Sequence, residues 1–198
     1  MLIFFSAVQL YSQGADYPYI MNNGTIFINT GVGFGSSGVG FGSLKLEKNI
    51  NTKTLCPPIT VSMDIAIPVL GFPVSLGLTA GYFSESGSVT DSKSGSKIET
   101  DLSGLLVAGR IAYHFNFLKQ LPRLDTYALL TIGGIISNNN VSVTPKVGNK
   151  SSKESDKQYF WFGINAGARY FFTPNIGAFV ELGLDTIQNL SFGVSFKL

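Results

Sequence analysis

The stretch GARYFFTPNIGAFVELGLD, residues 167–185, contains two segments in which apolar side chains occupy every second position. From 176 to 184 the even positions carry Ile, Ala, Val, Leu and Leu, whereas the odd positions from 177 to 185 carry Gly, Phe, Glu, Gly and Asp. A period of two places successive side chains on opposite faces of a β-strand. The Thr-Pro-Asn triplet at 173–175 is typical of a tight turn. The stretch therefore predicts two antiparallel strands joined by a short turn.

The same alternation returns along the rest of the chain. Together the segments predict eight strands, at residues 25–35, 59–69, 74–83, 102–115, 125–136, 159–172, 176–185 and 190–198. The fifth is apolar on both faces, so its facing stays open. Short connections follow the second, fourth and sixth strands, and long polar connections lie at 36–58, 84–100 and 137–158. Outer-membrane barrels alternate short periplasmic turns with long outer loops in this way.

The composition is unusual for a chain of 198 residues that shows no internal boundary and is interpreted as one domain. Hydrophobic residues make up 44% and charged residues only 13%, against about 25% charge in ordinary soluble domains. No run reaches the roughly 18 apolar residues that a membrane-spanning helix needs. A net charge of +2, with the lysines scattered through polar segments, excludes nucleic acid as the expected partner. High hydropathy without a spanning helix predicts strands that face something other than water.

The alternation fits two kinds of barrel. One is a water-soluble barrel of the lipocalin kind, whose apolar interior carries a hydrophobic ligand, and the other is a membrane barrel with an apolar exterior. The face opposite the apolar one is rich in glycine and carries too few charges for a water-exposed surface, so we expect the apolar face to contact lipid. Seven aromatic side chains near the strand ends are predicted to lie on that outward face: Tyr82, Tyr113, Phe115, Tyr127, Phe160, Tyr170 and Phe172.

Residues 167–183 and the closing FGVSFKL, residues 192–198, resemble the bacterial outer-membrane β-barrel domain family, including the outer-membrane protein X and OmpA-type small barrels. The resemblance implies an all-β fold, an eight-stranded antiparallel up-and-down transmembrane β-barrel over residues 24–198, in the cell outer membrane. It also implies contact with outer-membrane lipid and insertion by the barrel-assembly machinery, and we expect a monomer. Members of this family typically end in an aromatic residue, whereas this chain ends in Leu198, with Phe196 two positions before it.

The first residues are predicted to direct secretion. Residues 2–10 form a short apolar run, followed by Tyr-Ser-Gln-Gly, in which Ser12 suits the small-residue position before a cleavage site. The positively charged segment that normally precedes such a run is missing. Residues 1–14 are therefore interpreted as a truncated signal peptide, and the alternative is a buried first strand or helix.

Polar side chains on the inward face of the strands form the candidate site. Arg169, Glu181 and Lys197 fall on three consecutive strands, so they are expected to form an ion network inside the barrel. The full predicted lumen network is Asp64, Arg110, His114, Asn165, Arg169, Glu181 and Lys197. Such a network would fill a narrow lumen and block flow. The alternative is a gated proton or ion path in which His114 is the titrating element.

No catalytic site is predicted. The chain has a single histidine, with no serine or aspartate motif of known spacing beside it, so it shows no triad. The glycines at 31–42 lack the lysine and helix of a phosphate loop. Cys56 is interpreted as an isolated loop thiol without metal-binding neighbours, and we expect no metal and no cofactor. The leading function is a structural or binding role, in which the long outer loops contact an unidentified extracellular ligand. A narrow porin-like channel is the alternative within the membrane class.

Overall fold

A computed structural model describes residues 21–35, 51–67, 72–90, 96–115, 123–145, 149 and 151–198, with the backbone alone at 51–55. The predicted signal peptide, residues 1–14, lies outside these ranges. The strands are β1 (Ile26–Phe34), β2 (Asn51–Ala66), β3 (Val74–Thr90), β4 (Lys97–Phe115), β5 (Leu124–Thr144), β6 (Ser151–Phe171), β7 (Ile176–Asp185) and β8 (Leu190–Lys197). No helix in the described ranges is long and apolar enough to cross a membrane.

The eight strands form one closed barrel in which each strand pairs antiparallel with its neighbours along the chain. β1 and β8 complete the ring, with Asn29 opposite Ser195 and Val32 opposite Phe192. Closure removes the open sheet edges from the part of the wall where all eight strands are paired. The predicted fold, an all-β eight-stranded up-and-down barrel, is confirmed.

The strands point their large apolar side chains outward. Val61 is 52% exposed, Leu76 43%, Val180 39% and Phe192 46%, although all four belong to regular strands. On the opposite face, Asp64 is 1% exposed. An apolar exterior around an interior that buries charged side chains contradicts the alternative of a water-soluble barrel that carries a hydrophobic ligand in an apolar core.

The strands are longer at one end of the barrel than the alternation predicts. β2 begins at Asn51 rather than at 59, and β3 continues to Thr90 rather than 83. β5 and β6 reach 21 residues each and pair as far as Val143 opposite Ser151. Much of the three predicted long loops is therefore β-sheet. Alternation of apolar and polar residues does not predict these strand extensions, because the outward side chains of the β3 to β6 extensions are polar. The apolar outward face is confined to the rest of the wall.

Cys56 lies in β2 and not in a loop, which corrects the prediction for this residue. The pairing of β2 with β3 shifts register on both sides of it, between Thr54 and Cys56 and between Cys56 and Ile59. Such irregularities suit the two prolines that follow Cys56, because proline cannot donate to a strand ladder. The thiol is free and partly exposed.

The burial pattern of β5 shows which of its side chains point into the barrel. Asp125, Tyr127 and Leu129 point inward, whereas Ile136 is exposed outside. The predicted place of Tyr127 on the outward face is therefore wrong, because its phenol lies in the lumen and donates a hydrogen bond to Glu181. The other six aromatic residues lie on the outward face, partly or well exposed: Tyr82, Tyr113, Phe115, Phe160, Tyr170 and Phe172.

Leu78, 65% exposed in the middle of the apolar face of β3, provides a test of the lipid-facing exterior. Leu78→Arg is expected to destabilise the folded barrel in vesicles by about 2–4 kcal/mol, because the guanidinium would enter the acyl layer. Ser86→Arg, on the same face of β3 beyond the apolar residues, is the matched control and should cost under about 1 kcal/mol. Urea unfolding followed by Trp161 fluorescence measures both. Equal costs at the two positions would contradict a lipid-facing exterior.

Candidate functional site

Arg110 lies in the middle of the lumen between two carboxylates. From β4 it donates through Nε to Asp64 Oδ1 at 3.2 Å and through Nη2 to Glu181 Oε1 at 2.7 Å. The carboxylates come from β2 and β7, so this arginine connects strands that are not neighbours in the barrel. All three residues are at most 8% exposed. Because an unpaired buried charge is costly, each of these groups depends on the others.

Arg169, from β6, is the most enclosed of the lumen charges, with 0% exposure. It donates through Nη2 to Asp64 Oδ2 at 3.0 Å and through Nη1 to Asp125 Oδ2 at 3.2 Å. Its guanidinium also lies against two rings, 4.6 Å from the centroid of Phe27 and 4.3 Å from that of Tyr127. Carboxylates thus bind the polar edge of the guanidinium while aromatic faces contact its plane. From here on, the term lumen network means the set that the structure brings together, which differs from the predicted set: Asp64, Arg110, His114, Asp125, Arg169 and Glu181.

Asn29 ties the lumen network to the seam where β1 meets its two neighbours. Its Nδ2 donates to Asp64 Oδ2 at 3.1 Å and to Ser62 Oγ at 2.9 Å. Its Oδ1 accepts a hydrogen bond from Ser195 Oγ of β8 at 2.7 Å. The side-chain bonds therefore cross the same two strand boundaries as the backbone ladder, and they add to the closure of the barrel.

His114 continues the network toward the end of the barrel that carries the short turns. Its Nδ1 is 2.8 Å from Asp125 Oδ1, and its Nε2 is 2.9 Å from Ser75 Oγ. This order of hydrogen bonds is that of a serine hydrolase triad. A nucleophile must also be reached by its substrate, and Ser75 is 1% exposed. The sequence does not predict the arrangement, because the three residues lie on β3, β4 and β5, far apart along the chain.

Apolar clusters of buried side chains lie on both sides of the network. The cluster at the turn end consists of Met21, Phe27, Ala66 and Phe171. The cluster at the opposite end consists of Phe83, Leu102, Leu106, Ala108, Ile135, Trp161 and Ile187. The Phe27 ring also stacks against His114, with centroids 6.1 Å apart. The lumen network is therefore enclosed between two apolar layers, and the low dielectric there strengthens its ion pairs.

A second polar group lies beside the apolar cluster opposite the turns. Asp185 Oδ1 accepts hydrogen bonds from Trp161 Nε1 at 3.0 Å and from the Ile187 amide at 2.8 Å. Asn165 Nδ2 donates to the other oxygen of Asp185 at 3.4 Å. These bonds fix the β7–β8 turn so that Ile187 is buried within that apolar cluster.

Five of the seven predicted lumen residues meet in the lumen network: Asp64, Arg110, His114, Arg169 and Glu181. Asn165 belongs to the second polar group instead. Lys197 lies near the turn end, with Nζ 5.1 Å from the centroid of Phe171. The stagger of the strands separates residues that alternation alone assigns to one face.

Four residues outside the predicted set also contact the network or belong to it: Asn29, Ser75, Asp125 and Tyr127. Asp125 carries a usable signal, because it lies directly opposite Arg169 once the β5–β6 hairpin is in register. Across the described ranges, no group of three or more His, Cys, Asp or Glu side chains is placed to bind a metal ion.

Beyond the apolar cluster opposite the turns, β2 to β6 continue as a sheet. β6 pairs with β7 only from Gly163 onward, so residues 151–161 have β5 as their one strand partner within the part of the chain that the structure describes. The backbone N–H and C=O of Phe162 face the β7 side, where both bond to Thr186. The direction of the backbone N–H and C=O groups alternates from one residue to the next along a strand. The groups that point to the unpaired side are therefore those of residues 152, 154, 156, 158 and 160. We call residues 151–161 the open edge.

The chain is similar in fold to three solved structures, one of which is a major outer membrane protein. The major outer membrane protein of Thermus thermophilus matches over 89% of this chain and 100% of its own, with a TM-score of 0.54 and 11% sequence identity. The N-terminal β-barrel domain of Pseudomonas aeruginosa OprF matches with a TM-score of 0.41 and 16% identity, over 89% and 98% of the two chains. Ail, the attachment invasion locus protein of Yersinia pestis, matches with a TM-score of 0.38 and 13% identity, over 89% and 96%. No family model and no curated protein matches the sequence.

Removing the shared cation of the lumen network is expected to destabilise the barrel. Arg169→Met should cost about 3–5 kcal/mol, because Asp64 and Asp125 stay buried without their common partner. Lys197→Met removes the same charge near the turn end, where the lysine is partly exposed, and should cost under about 1 kcal/mol. Urea unfolding of both variants in the same vesicles gives the comparison. Equal losses would show that Arg169 does not act as the bridge that its contacts indicate.

Proposed function

We propose that the chain is an integral barrel of the bacterial cell outer membrane that acts by binding through its extended sheet. The observation that carries the proposal is a change along β3 to β6. Beside the packed lumen their outward side chains are mostly large and apolar, and beyond it they are polar. An acyl layer suits the first region and water suits the second. The similar fold of the Thermus thermophilus major outer membrane protein supports the same location.

The packed lumen favours binding over transport. Passage of an ion or solute would require the salt bridges of the lumen network to separate and both apolar clusters to move. Each of these changes is costly, because it leaves buried charges without partners or opens apolar surface. A plugged barrel therefore has more support than a narrow porin-like channel, and we assign the lumen network the task of holding the barrel's shape.

The open edge is the surface best suited to a partner. Unpaired N–H and C=O groups at a sheet edge readily pair with an added strand. The ladder between β5 and β6 already orders the edge, so binding costs the barrel little conformational entropy. The unidentified extracellular ligand is accordingly an extended segment of polypeptide, and it binds to the strand extensions rather than to loops.

Three further expectations belong to the same proposal. Outer-membrane lipid surrounds the apolar face, and the barrel-assembly machinery inserts the chain. The barrel works as a monomer, because the β1–β8 ladder lets one chain satisfy the backbone of its wall without a second copy. The chain is not an enzyme, and the Ser75, His114 and Asp125 arrangement is part of the packed interior.

The free thiol of Cys56 tests which side of the membrane the extended sheet faces. In a Gram-negative host, a membrane-impermeant maleimide is expected to label Cys56 on intact cells, because β2 carries it beyond the apolar part of the wall. The matched control joins Cys56→Ser to Asn175→Cys, which moves the thiol to the exposed β6–β7 turn. That variant should react only after the outer membrane is permeabilised. The reverse pattern would overturn the proposed orientation.

An activity-based probe tests the absence of catalysis. A fluorophosphonate is expected to leave Ser75 unlabelled in the folded barrel, because the residue is only 1% exposed. Ser75→Ala serves as the background. Labelling of the folded protein that disappears in this variant would show an accessible, activated serine, and it would refute the structural assignment of the three residues.

A further inference from the structure

The open edge carries opposite charges on its two faces. Residues 151–161 read SSKESDKQYFW, and Trp161 is buried on the lumen side. Because facing alternates along a strand, Lys153 and Lys157 share that lumen-side face, whereas Glu154 and Asp156 share the outward face. All four charged residues are exposed. A strand added at this edge would therefore meet positive charge on one face and negative charge on the other.

Neighbouring β5 fixes the acidic half of this pattern. Asn138 Nδ2 donates to Glu154 Oε1 at 2.5 Å and to Asp156 Oδ1 at 3.2 Å. The amide draws both carboxylates onto the outward face and limits their rotamers. Each carboxylate keeps further oxygen lone pairs for a second donor. Basic side chains on an added strand would therefore find the acidic pair already positioned.

We infer that the open edge selects an extended polypeptide whose charges alternate in the complementary sense, acidic opposite the two lysines and basic opposite the two carboxylates. The inference rests on the proposed function, because it names the partner of the same edge. Directly opposite residues of adjacent antiparallel strands lie on one face, where unlike charges attract and like charges repel. Backbone hydrogen bonds contribute affinity for any extended strand. The charged side chains determine which sequences bind most tightly.

A second copy of the chain does not fit this pattern in an antiparallel pairing. Two open edges centred on Ser155 would place Lys153 opposite Lys157 and Glu154 opposite Asp156. A centre at 154 or 156 would place an acidic residue opposite itself. Charged side chains of this kind are a general means by which edge strands avoid pairing with their own copies. The charge pattern therefore disfavours antiparallel pairing with a second copy of the chain. It favours pairing with a strand whose charges are in the opposite order.

Two peptides of identical composition test the selection. TVEKTKEVT places glutamates opposite Lys153 and Lys157 and lysines opposite the two carboxylates, and TVKETEKVT reverses every charge. Because each sequence is the same in both directions, strand polarity does not affect the comparison. Fluorescence anisotropy with the full chain in vesicles is expected to show that TVEKTKEVT binds at least about tenfold more tightly. Added salt should reduce the difference.

Two variants locate the effect. K153E/E154K/D156K/K157E inverts the pattern at constant net charge and is expected to reverse the ranking of the peptides. Gln158→Pro removes one N–H from the unpaired side while the bonds to β5 stay, so both peptides should lose binding. Heat-modifiable gel migration checks that each variant is folded. Because the changed residues lie beyond the closed part of the wall, the barrel is expected to keep its fold.

Reversal of the ranking in the inverted variant would support the inference. Equal binding of both peptides, abolished by Gln158→Pro, would overturn the charge selection and leave the edge as a docking surface. Binding that survives Gln158→Pro, or no binding of either peptide, would overturn the inference together with the proposed use of the edge. Dimerisation of the chain that Gln158→Pro abolishes would identify a second copy as the occupant and overturn the inference as well.

Discussion

Acyl chains offer no hydrogen-bond partner to a peptide backbone, and this constraint explains why the strands close into a ring. The ladder between β1 and β8, from Phe27 opposite Lys197 to Phe34 opposite Leu190, removes both edges from the apolar part of the wall. Beyond that part, β6 continues without β7. Among the residues that the structure describes, an edge without a strand partner therefore occurs where water can satisfy its backbone groups.

Closure also determines what the interior contains. With the apolar side chains outside, the inward positions hold polar groups that a soluble protein would leave at its surface, so each group needs a partner from another strand. Asp64 shows the result, because it accepts hydrogen bonds from Asn29 of β1, Arg110 of β4 and Arg169 of β6. One carboxylate thus connects three strands to its own. The middle of the interior is therefore held together by polar contacts between strands, with the two apolar clusters on either side of them.

Alternation predicts the wall because the facing of side chains has a fixed period of two, and it places Arg110 and Glu181 inside for the same reason. It does not reveal which inward residues meet, since the stagger of the strands sets those contacts. It also misses the strand extensions, because residues 151–158 have no apolar side chain and residues 137–144 have only two valines, so both segments resemble loops. The inward facing of Tyr127 is hidden by a strand that is apolar on both sides.

The contact of Arg169 with Asp64 joins positions 105 residues apart in the chain. It can form only when β6 and β2 enclose a common space, that is, when the ring is nearly complete. Before then, each ion would lie on a half-curled sheet beside hydrocarbon, where a lone charge is unstable. We therefore expect entry into the bilayer to coincide with pairing of these ions. For the same reason we expect partly closed barrels to be short-lived, and insertion into the bilayer to be cooperative.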